Sequence, residues 1–347
     1  MPVTILDIAR EAGVSKSTVS LVINNAENVK METRYKVQQA IERLGYIPNQ
    51  AARQLILNRT HTLGLVFLTS NHFNKEYAFS SVPETLFYSA STGINRELAN
   101  TDYTLLTERF SSIMGSNVLP NLIKARRLDG VFLIGGLFKE ELIEHIQKLR
   151  LPVIIIGRQY KNIDSVQVDL EQTGYMAVRH LLERGHKNIL FVNGPETSSN
   201  SALKAQGVTR ALEEKKANHP ALHIIHSGYS GLNGYEAIKK HWKEKAPPSA
   251  IFCGSDGIAA GVMRFLYEKG LHVPRDISIL TSEISMLTEF CSPALTSIDP
   301  QYETLGKEAC RILLNRIKKP KAQPTTLLLP PIMIQWNSVR DLTGGEP

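Results

Sequence analysis

Residues 4–45 read TILDIAREAGVSKSTVSLVINNAENVKMETRYKVQQAIERLG, a pattern that three short helices separated by tight turns account for. Thr4 followed by Asp7 is a capping pair, after which Ile5, Ile8 and Ala9 recur at helical spacing until Gly13 interrupts. Ser15 caps a second helix whose inner stripe is Val19, Val22 and Ile23, and Asn24-Asn25 ends it. A third helix is expected from Glu32 to Leu44, with Val37, Ala40, Ile41 and Leu44 on one face and Gly45 at the left-handed position that closes it. Two short helices joined by Ala12-Gly13-Val14, with a third behind them, form the helix-turn-helix arrangement, whose second helix enters the major groove of DNA. The same pattern also serves plain structural domains, so the outward-facing residues carry the functional argument.

With the Val19, Val22 and Ile23 stripe turned inward, Lys16, Ser17, Ser20 and Leu21 look outward. Lys16 can donate to guanine O6 and N7 or to a phosphate, Ser17 can donate or accept, and Leu21 offers apolar contact such as a thymine methyl needs. Thr4, Ser15 and Thr18 suit phosphate contacts at helix starts, where free backbone amides add donors. Residues 1–60 hold eight Lys and Arg against five Asp and Glu, a net of +3 that is consistent with phosphate contact.

From Thr62 onward the pattern changes to short apolar strands alternating with amphipathic helices. The strands are expected around residues 63–68, 103–106, 130–134, 153–156, 189–192, 250–252 and 277–280. The helices between them are expected around 92–100, 140–149, 172–184, 204–216, 258–269 and 303–317. Continuous apolar strands separated by helices predict parallel sheets covered on both faces. The fold class is therefore a small all-α helix-turn-helix head plus an α/β core of two doubly wound parallel-sheet lobes. The expected division is 1–46 for the head, 47–60 for a hinge helix or linker and 61–347 for the core. Within the core, 61–160 and 293–322 form one lobe, and 161–292 and 323–341 the other. The chain is then expected to cross between lobes near 157–163, 290–293 and 320–324.

Composition narrows the function further. With 347 residues, 42% of them hydrophobic, the chain has apolar material for several cores, which excludes a disordered tail. A net charge of +7 favours an anionic partner without requiring one. The cysteines, Cys253, Cys291 and Cys310, are odd in number and lack a C-x-x-C pair, so a reducing cytoplasm is expected, with no disulfide framework and no zinc site. The start MPVTILDIAREAGVS is not a secretory signal, and no run approaches the ~18 apolar residues of a membrane span. No phosphate loop, H-E-x-x-H or G-x-S-x-G motif occurs, so no catalytic residues, cofactor or metal are expected. Among His219, His223 and His226, Pro220 breaks helical pairing, and a strand would point the last two to opposite faces.

The run TILDIAREAGVSKSTVSLVINNAENVKMETRYKVQQAIERLGYIPNQAARQL resembles the DNA-binding head of the LacI/GalR family of bacterial transcriptional repressors. LLERGHKNILFVNGP, IFCGSDGIAAGVMRFLYEKGLHVPRDISIL and SPALTSIDPQYETLG resemble landmarks of the family's periplasmic-binding-protein-like core. The resemblance implies a homodimeric repressor of double-stranded operator DNA, controlled by a small-molecule effector, commonly a sugar. It places Lys16, Ser17 and Leu21 at specificity positions, although many members carry arginine where Leu21 stands. It adds Asn24, Asn49 and Ala52 to the DNA contacts and makes Leu55 a minor-groove wedge on a hinge helix. Asn49 can cap that helix, which at about two turns is marginal alone in water. A plain interdomain linker is the alternative.

For the core, the resemblance implies effector contacts from Ser255 and Asp256, Lys204 and Glu283, Tyr229 and Phe87. Lys204 stands where many members have arginine and Glu283 where many have aspartate, which keeps charge but changes reach, so effector identity does not transfer. Phe87 follows an apparent insertion around Asn71–Val82. Each residue also has a structural alternative: Asp256 as a helix cap, Lys204 and Glu283 as a solvated pair, the aromatics as core. Two other function classes are a sugar-binding transport component, whose fold the core would share, and a sugar-processing enzyme fused to a regulatory head. The attached helical head speaks against the first, and the missing catalytic motifs against the second.

Overall fold

The computed structural model describes residues 3–23, 26, 28–46, 60–69, 84–111, 119–135, 140–214, 221–243 and 246–344. They fall into two compact units, 1–61 and 62–347. In the first, α1 (Ile5–Ala12), α2 (Lys16–Ile23) and α3 (Met31–Leu44) enclose a small core of Ile8, Ala9, Val19, Val22, Val37 and Ala40. The expected caps are in place. The Thr4 hydroxyl donates to Asp7 Oδ2 (2.7 Å), Ser15 Oγ accepts from the Thr18 amide (3.1 Å), and Gly13 and Gly45 turn left-handed at φ 66° and 59°. Arg43 fastens α3 to α1 through Glu11 (2.8 Å).

The second unit holds two six-stranded sheets. The first is built from β1 (Thr62–Thr69), β2 (Thr104–Ser111), β3 (Gly130–Gly135), β4 (Val153–Ile156), β5 (Asp164–Val168) and β11 (Thr326–Leu329), in the order β11-β5-β4-β3-β1-β2 and parallel throughout. Side chains alternate along β1: Leu63, Leu65 and Phe67 pack under α4 (Glu84–Leu98) and α12 (Tyr302–Lys318), whereas Val66 and Leu68 pack under α5 (Asn121–Lys124) and α6 (Glu140–Lys148). Strands buried on both faces in this way need the continuous apolar runs seen in the sequence.

The second sheet comprises β6 (Asn188–Asn193), β7 (Ala221–His226), β8 (Ala250–Cys253), β9 (Ser278–Thr281), β10 (Thr296–Asp299) and β12 (Ile332–Ile334), ordered β12-β10-β9-β8-β6-β7. β12 is antiparallel to β10, and the other pairings are parallel. Helices α7 (Leu170–Glu183) and α8 (Ser199–Glu214) cover one face, and α9 (Gly231–His241) and α10 (Asp256–Glu268) the other. A short α11 (Met286–Phe290) follows β9. Glycines let the paired helices cross with backbones touching. A Cβ on Gly207 would lie 1.8 Å from Glu171 O, and one on Gly306 would lie 2.0 Å from Ala90 O, so no side chain fits at either crossing.

Strand membership corrects the expected crossings and lobe limits. β5 and β11 belong to the first sheet and β10 to the second, so the chain changes lobe after Val168, after Asp299 and between Leu329 and Ile332. The crossings expected near 157–163, 290–293 and 320–324, and the lobe limits at 160, 292 and 322 drawn from them, are therefore displaced. β5 reads DSVQV, too polar to stand out as an apolar strand. It is held by side-chain chemistry instead, since Arg316 grips Asp164 through both carboxylate oxygens (2.7 and 2.9 Å).

The segment after β12 closes the second lobe. The Ser338 hydroxyl donates to Ile279 O (2.6 Å), and His186 bonds Arg340 O and Ser249 Oγ, each at 3.1 Å. Burial pushes His186 down and holds His180, which accepts from Arg184 Nε (3.0 Å), at about 4 against an ordinary 6.5. Both rings stay neutral in the folded lobe while the unfolded chain takes up protons below pH 6.5, so their stability contribution is whole above that pH and is lost as pH falls toward 4. Urea unfolding at pH 7.5 and 5 is expected to show a lower midpoint at pH 5, with a smaller drop in His180→Gln. Equal midpoints at the two pH values in the unsubstituted chain would contradict this account.

Candidate functional site

On the helical unit, Lys16, Ser17 and Leu21 are exposed, Leu21 at 41% although it is apolar, on the side of α2 away from buried Val19 and Val22. Ser20 is half-buried. Ser15 Oγ shares hydrogen bonds with Ser17 Oγ (2.7 Å) and Thr18 Oγ1 (2.8 Å), so three hydroxyls cluster at the helix start, where backbone amides point outward. Thr4 stands at the start of α1 with its hydroxyl on Asp7. Asn24, Asn49, Ala52 and Leu55 lie outside the described residues, as do the hinge stretch 47–59, His219 and the insertion around 71–82.

In the second lobe the carboxyl ends of four strands converge. Asn193 ends β6, Gly254 follows β8, Ser282 and Glu283 follow β9, and Tyr229 lies beyond β7. Lys204, on α8 and only 5% exposed, donates to Gly254 O and to Ser282 Oγ (3.3 Å), and its ammonium lies 6.0 Å from the centre of the Tyr229 ring. Tyr229 is fixed by Ser198 Oγ (3.0 Å) and Ser201 Oγ (3.2 Å), and its ring lies on Gly194, where a Cβ would come within 2.3 Å of it. Ser255 caps α10 by accepting from the Ile258 amide (3.1 Å). That leaves the capping role to Ser255, and Asp256 beside it accepts from the Gly257 amide (2.6 Å).

Glu283, also 5% exposed, joins these parts together. One carboxylate oxygen accepts from the Tyr302 hydroxyl (2.8 Å) and the other from the Asp256 amide (3.3 Å). Tyr302 opens α12, which packs on the first lobe's core, so this bond passes from lobe to lobe. A second such bond runs from Arg158, just after β4, to Ser199 Oγ at the start of α8. Burial raises the Glu283 carboxyl above its usual range, and the neighbouring Asp256 charge raises it further. Burial equally pushes the Lys204 ammonium down, and Glu283 opposes that shift. Each therefore depends on the other to keep its charge. Carboxylates, hydroxyls, one cation and an aromatic ring gathered where the two lobes meet are groups that can hold a small polar ligand by hydrogen bonds.

Five of the six residues expected to meet an effector, Lys204, Tyr229, Ser255, Asp256 and Glu283, are thus brought together. Phe87 is half-buried and belongs to the first lobe, whereas the other five belong to the second. Its ring lies 4.7 Å from buried Phe67, and it packs on the first lobe's core. Tyr302, Ser198, Ser201 and Ser282 were missed in the sequence. The strand-end rule could have found Ser282, two positions before Ile284 and one after β9, but only tertiary contact reveals Tyr302.

The sequence matches two family profiles: "Bacterial regulatory proteins, lacI family" over residues 4–49 and "Periplasmic binding protein-like domain" over residues 165–339. Among similar proteins, catabolite control protein A of Priestia megaterium is 36% identical over 95% of this chain and 97% of its own length. The transcriptional repressor PurR of Escherichia coli is 30% identical over 97% of each. Among solved structures, the lac repressor dimer bound to operator and the anti-inducer ONPF superposes with a TM-score of 0.78 at 25% identity, covering 98% of this chain and 100% of that one. A complex of the transcriptional regulator CelR with cellobiose shares the fold, with a TM-score of 0.69 at 24% identity over 97% and 99% of the two chains.

Proposed function

Because this chain belongs to the lacI family of bacterial regulatory proteins, we propose that it represses transcription as a homodimer on a pseudo-palindromic operator, under control of a small molecule bound between its lobes. The family relatives are transcriptional regulators rather than enzymes. The carrying observation is the face of α2, where Lys16, Ser17 and Leu21 stand exposed while the opposite face builds the unit's core. Thr4, Ser15 and Thr18 position the unit on phosphates, and the segment 47–60, with Asn49, Ala52 and Leu55, serves as the hinge. The lac repressor was solved as a dimer on its operator, which supports the same assembly here. So does the exposed apolar strip of Met286, Leu287 and Phe290 on α11, a face suited to a second copy.

The effector is a sugar or a sugar derivative, and the regulated genes serve carbohydrate use. Support comes from the mixture at the site: carboxylates Asp256 and Glu283 and several hydroxyls to pair with ligand hydroxyls, and Tyr229 to face a ring. Effector acts by changing how the lobes close, a coupling that typically amounts to about 1–3 kcal/mol.

Selection of duplexes from a randomised pool tests the DNA reading. The full chain is expected to enrich a two-fold symmetric site, and Lys16→Ala or Ser17→Ala to relax preference at one symmetric pair of positions by about 1–3 kcal/mol per contact. An unchanged site profile in both variants would contradict the reader assignment. A thermal-shift screen against sugars and phosphorylated sugars tests the effector, since a bound ligand raises the melting temperature by mass action.

A further inference from the structure

All strands of the first sheet are parallel, so their C-terminal ends share one side of the lobe, toward the effector site, and their N-terminal ends share the opposite edge. β1 begins at Thr62, so the chain enters the core at this N-terminal edge from the segment that follows the helical unit. The edge is basic. Lys319 and Lys321 precede β11, Arg150 precedes β4, Arg126 and Arg127 precede β3, and all five are exposed. None of the five pairs with a carboxylate among the described residues. The acidic residues of the same edge are Asp102, Asp129 and Asp164, the last of them held by Arg316.

Helix ends explain only part of this charge. Lys124, Lys148 and Lys318 close α5, α6 and α12, where a cation answers the negative end of the helix dipole. The five others lie beyond those ends. Two of them are also strained: Arg126 and Arg150 adopt left-handed φ values of 50° and 55°, at helix exits where glycine is the unstrained choice. The loop bearing Lys319 and Lys321 is held in place as well. Arg316 donates to Gln323 O (2.9 Å), and the Thr325 amide donates to Asp164 Oδ1 (2.7 Å). At the corresponding edge of the second sheet, Arg275 is held by Asp276 (3.0 Å) and Arg184 by Asp341 (3.8 Å), while Lys187 before β6 is exposed.

We propose that this basic edge of the core is a second contact surface for duplex DNA, gripping the phosphate backbone beside the operator and adding affinity without sequence information. The proposal rests on the operator-binding reading above. From β11 to β3 the row spans three strand spacings, about 15 Å at about 4.8 Å each. A duplex carries one charge about every 1.7 Å of its axis, so several phosphates can be met along that length. The chain's tether to a DNA-binding unit enters at this same edge, which raises the local phosphate concentration there.

The test uses the full chain and its pool-selected operator, extended by about 15 base pairs of flanking duplex on each side. Arg126→Gly/Arg127→Gln and Lys319→Gln/Lys321→Gln are combined in one variant, and Lys239→Gln/Lys240→Gln, on exposed residues of α9, serves as the control. Each lost phosphate contact is expected to make the slope of log affinity against log salt less negative by about 0.9, so the four substitutions should shift it by up to about 3.6 per subunit, or about 7 for the homodimer. Its preference for operator over a scrambled duplex should be unchanged, and the control should keep the original slope. An original slope in the combined variant, or an equal shift in the control, overturns the surface. If the unsubstituted chain shows no preference for its selected duplex, the operator reading itself fails and this surface falls with it. Preserved preference with an unaltered slope removes the surface alone.

Discussion

Val19→Asp is expected to weaken operator binding strongly, by up to about thirtyfold for each helical unit, while the effector-dependent rise in the core's melting temperature stays at its original value. Val19 is fully buried at the centre of the cluster formed with Ile8, Val22 and Val37. A carboxylate there would sit among apolar side chains, and an uncompensated buried charge costs about 3–5 kcal/mol. A unit this small rarely holds more than about 3–5 kcal/mol in total. The substitution therefore empties the folded state of the three helices, and apparent affinity falls with the folded fraction. Residues 62–347 form a separate compact unit with four clusters of their own, so effector response should persist. Anisotropy with labelled operator and calorimetry with effector check both halves. Retained operator affinity would show that the reader face does not depend on this core, and a lost effector response would show that the two units do not fold independently.

The elements with the strongest local signals were legible in the sequence. Gly13 and Gly45 end helices because each sits in the left-handed region, and β1, β3, β4 and β6 stand out because both of their faces are buried. β5 and β11 were not legible. Asp164, Ser165 and Gln167 make β5 polar, and the partner that accounts for Asp164 is Arg316, far along the chain. Long-range pairing of this kind has no local signature, and it displaced the expected lobe crossings. The candidate effector residues were supplied by the family resemblance, and their connection into one network was not legible. Lys204 and Glu283 read equally well as a solvated pair until burial placed both inside. Phe87 packs its ring on Phe67, and its place in the sequence alone does not separate a core role from a ligand contact, since an aromatic residue near a helix start is as useful to one as to the other.

Glu283→Leu is expected to remove the effector response and to destabilise the second lobe by about 3–5 kcal/mol, the usual result of breaking a buried charge pair. Three groups lose their partner at once. The Tyr302 hydroxyl and the Asp256 amide lose an acceptor, and Lys204 loses the countercharge that opposes its desolvation. Lys204 then sheds its proton more readily, since a buried ammonium without a counterion neutralises instead of bearing the full cost. Effector affinity should fall by about a hundredfold or more, as when one member of a buried hydrogen-bonded charge pair is truncated. Glu283→Gln separates the two roles, because its amide oxygen can still accept from Tyr302 while the charge is gone. Glu283→Gln should therefore retain most of the link between the lobes and part of the stability, yet bind effector poorly. Calorimetric titration with the effector found by thermal shift, run beside urea unfolding of each variant, measures both quantities. Effector affinity equal to that of the unsubstituted chain in Glu283→Leu would place the ligand somewhere other than this network. An unfolding midpoint unchanged in that variant would mean that Glu283 and Lys204 do not sustain each other's charge.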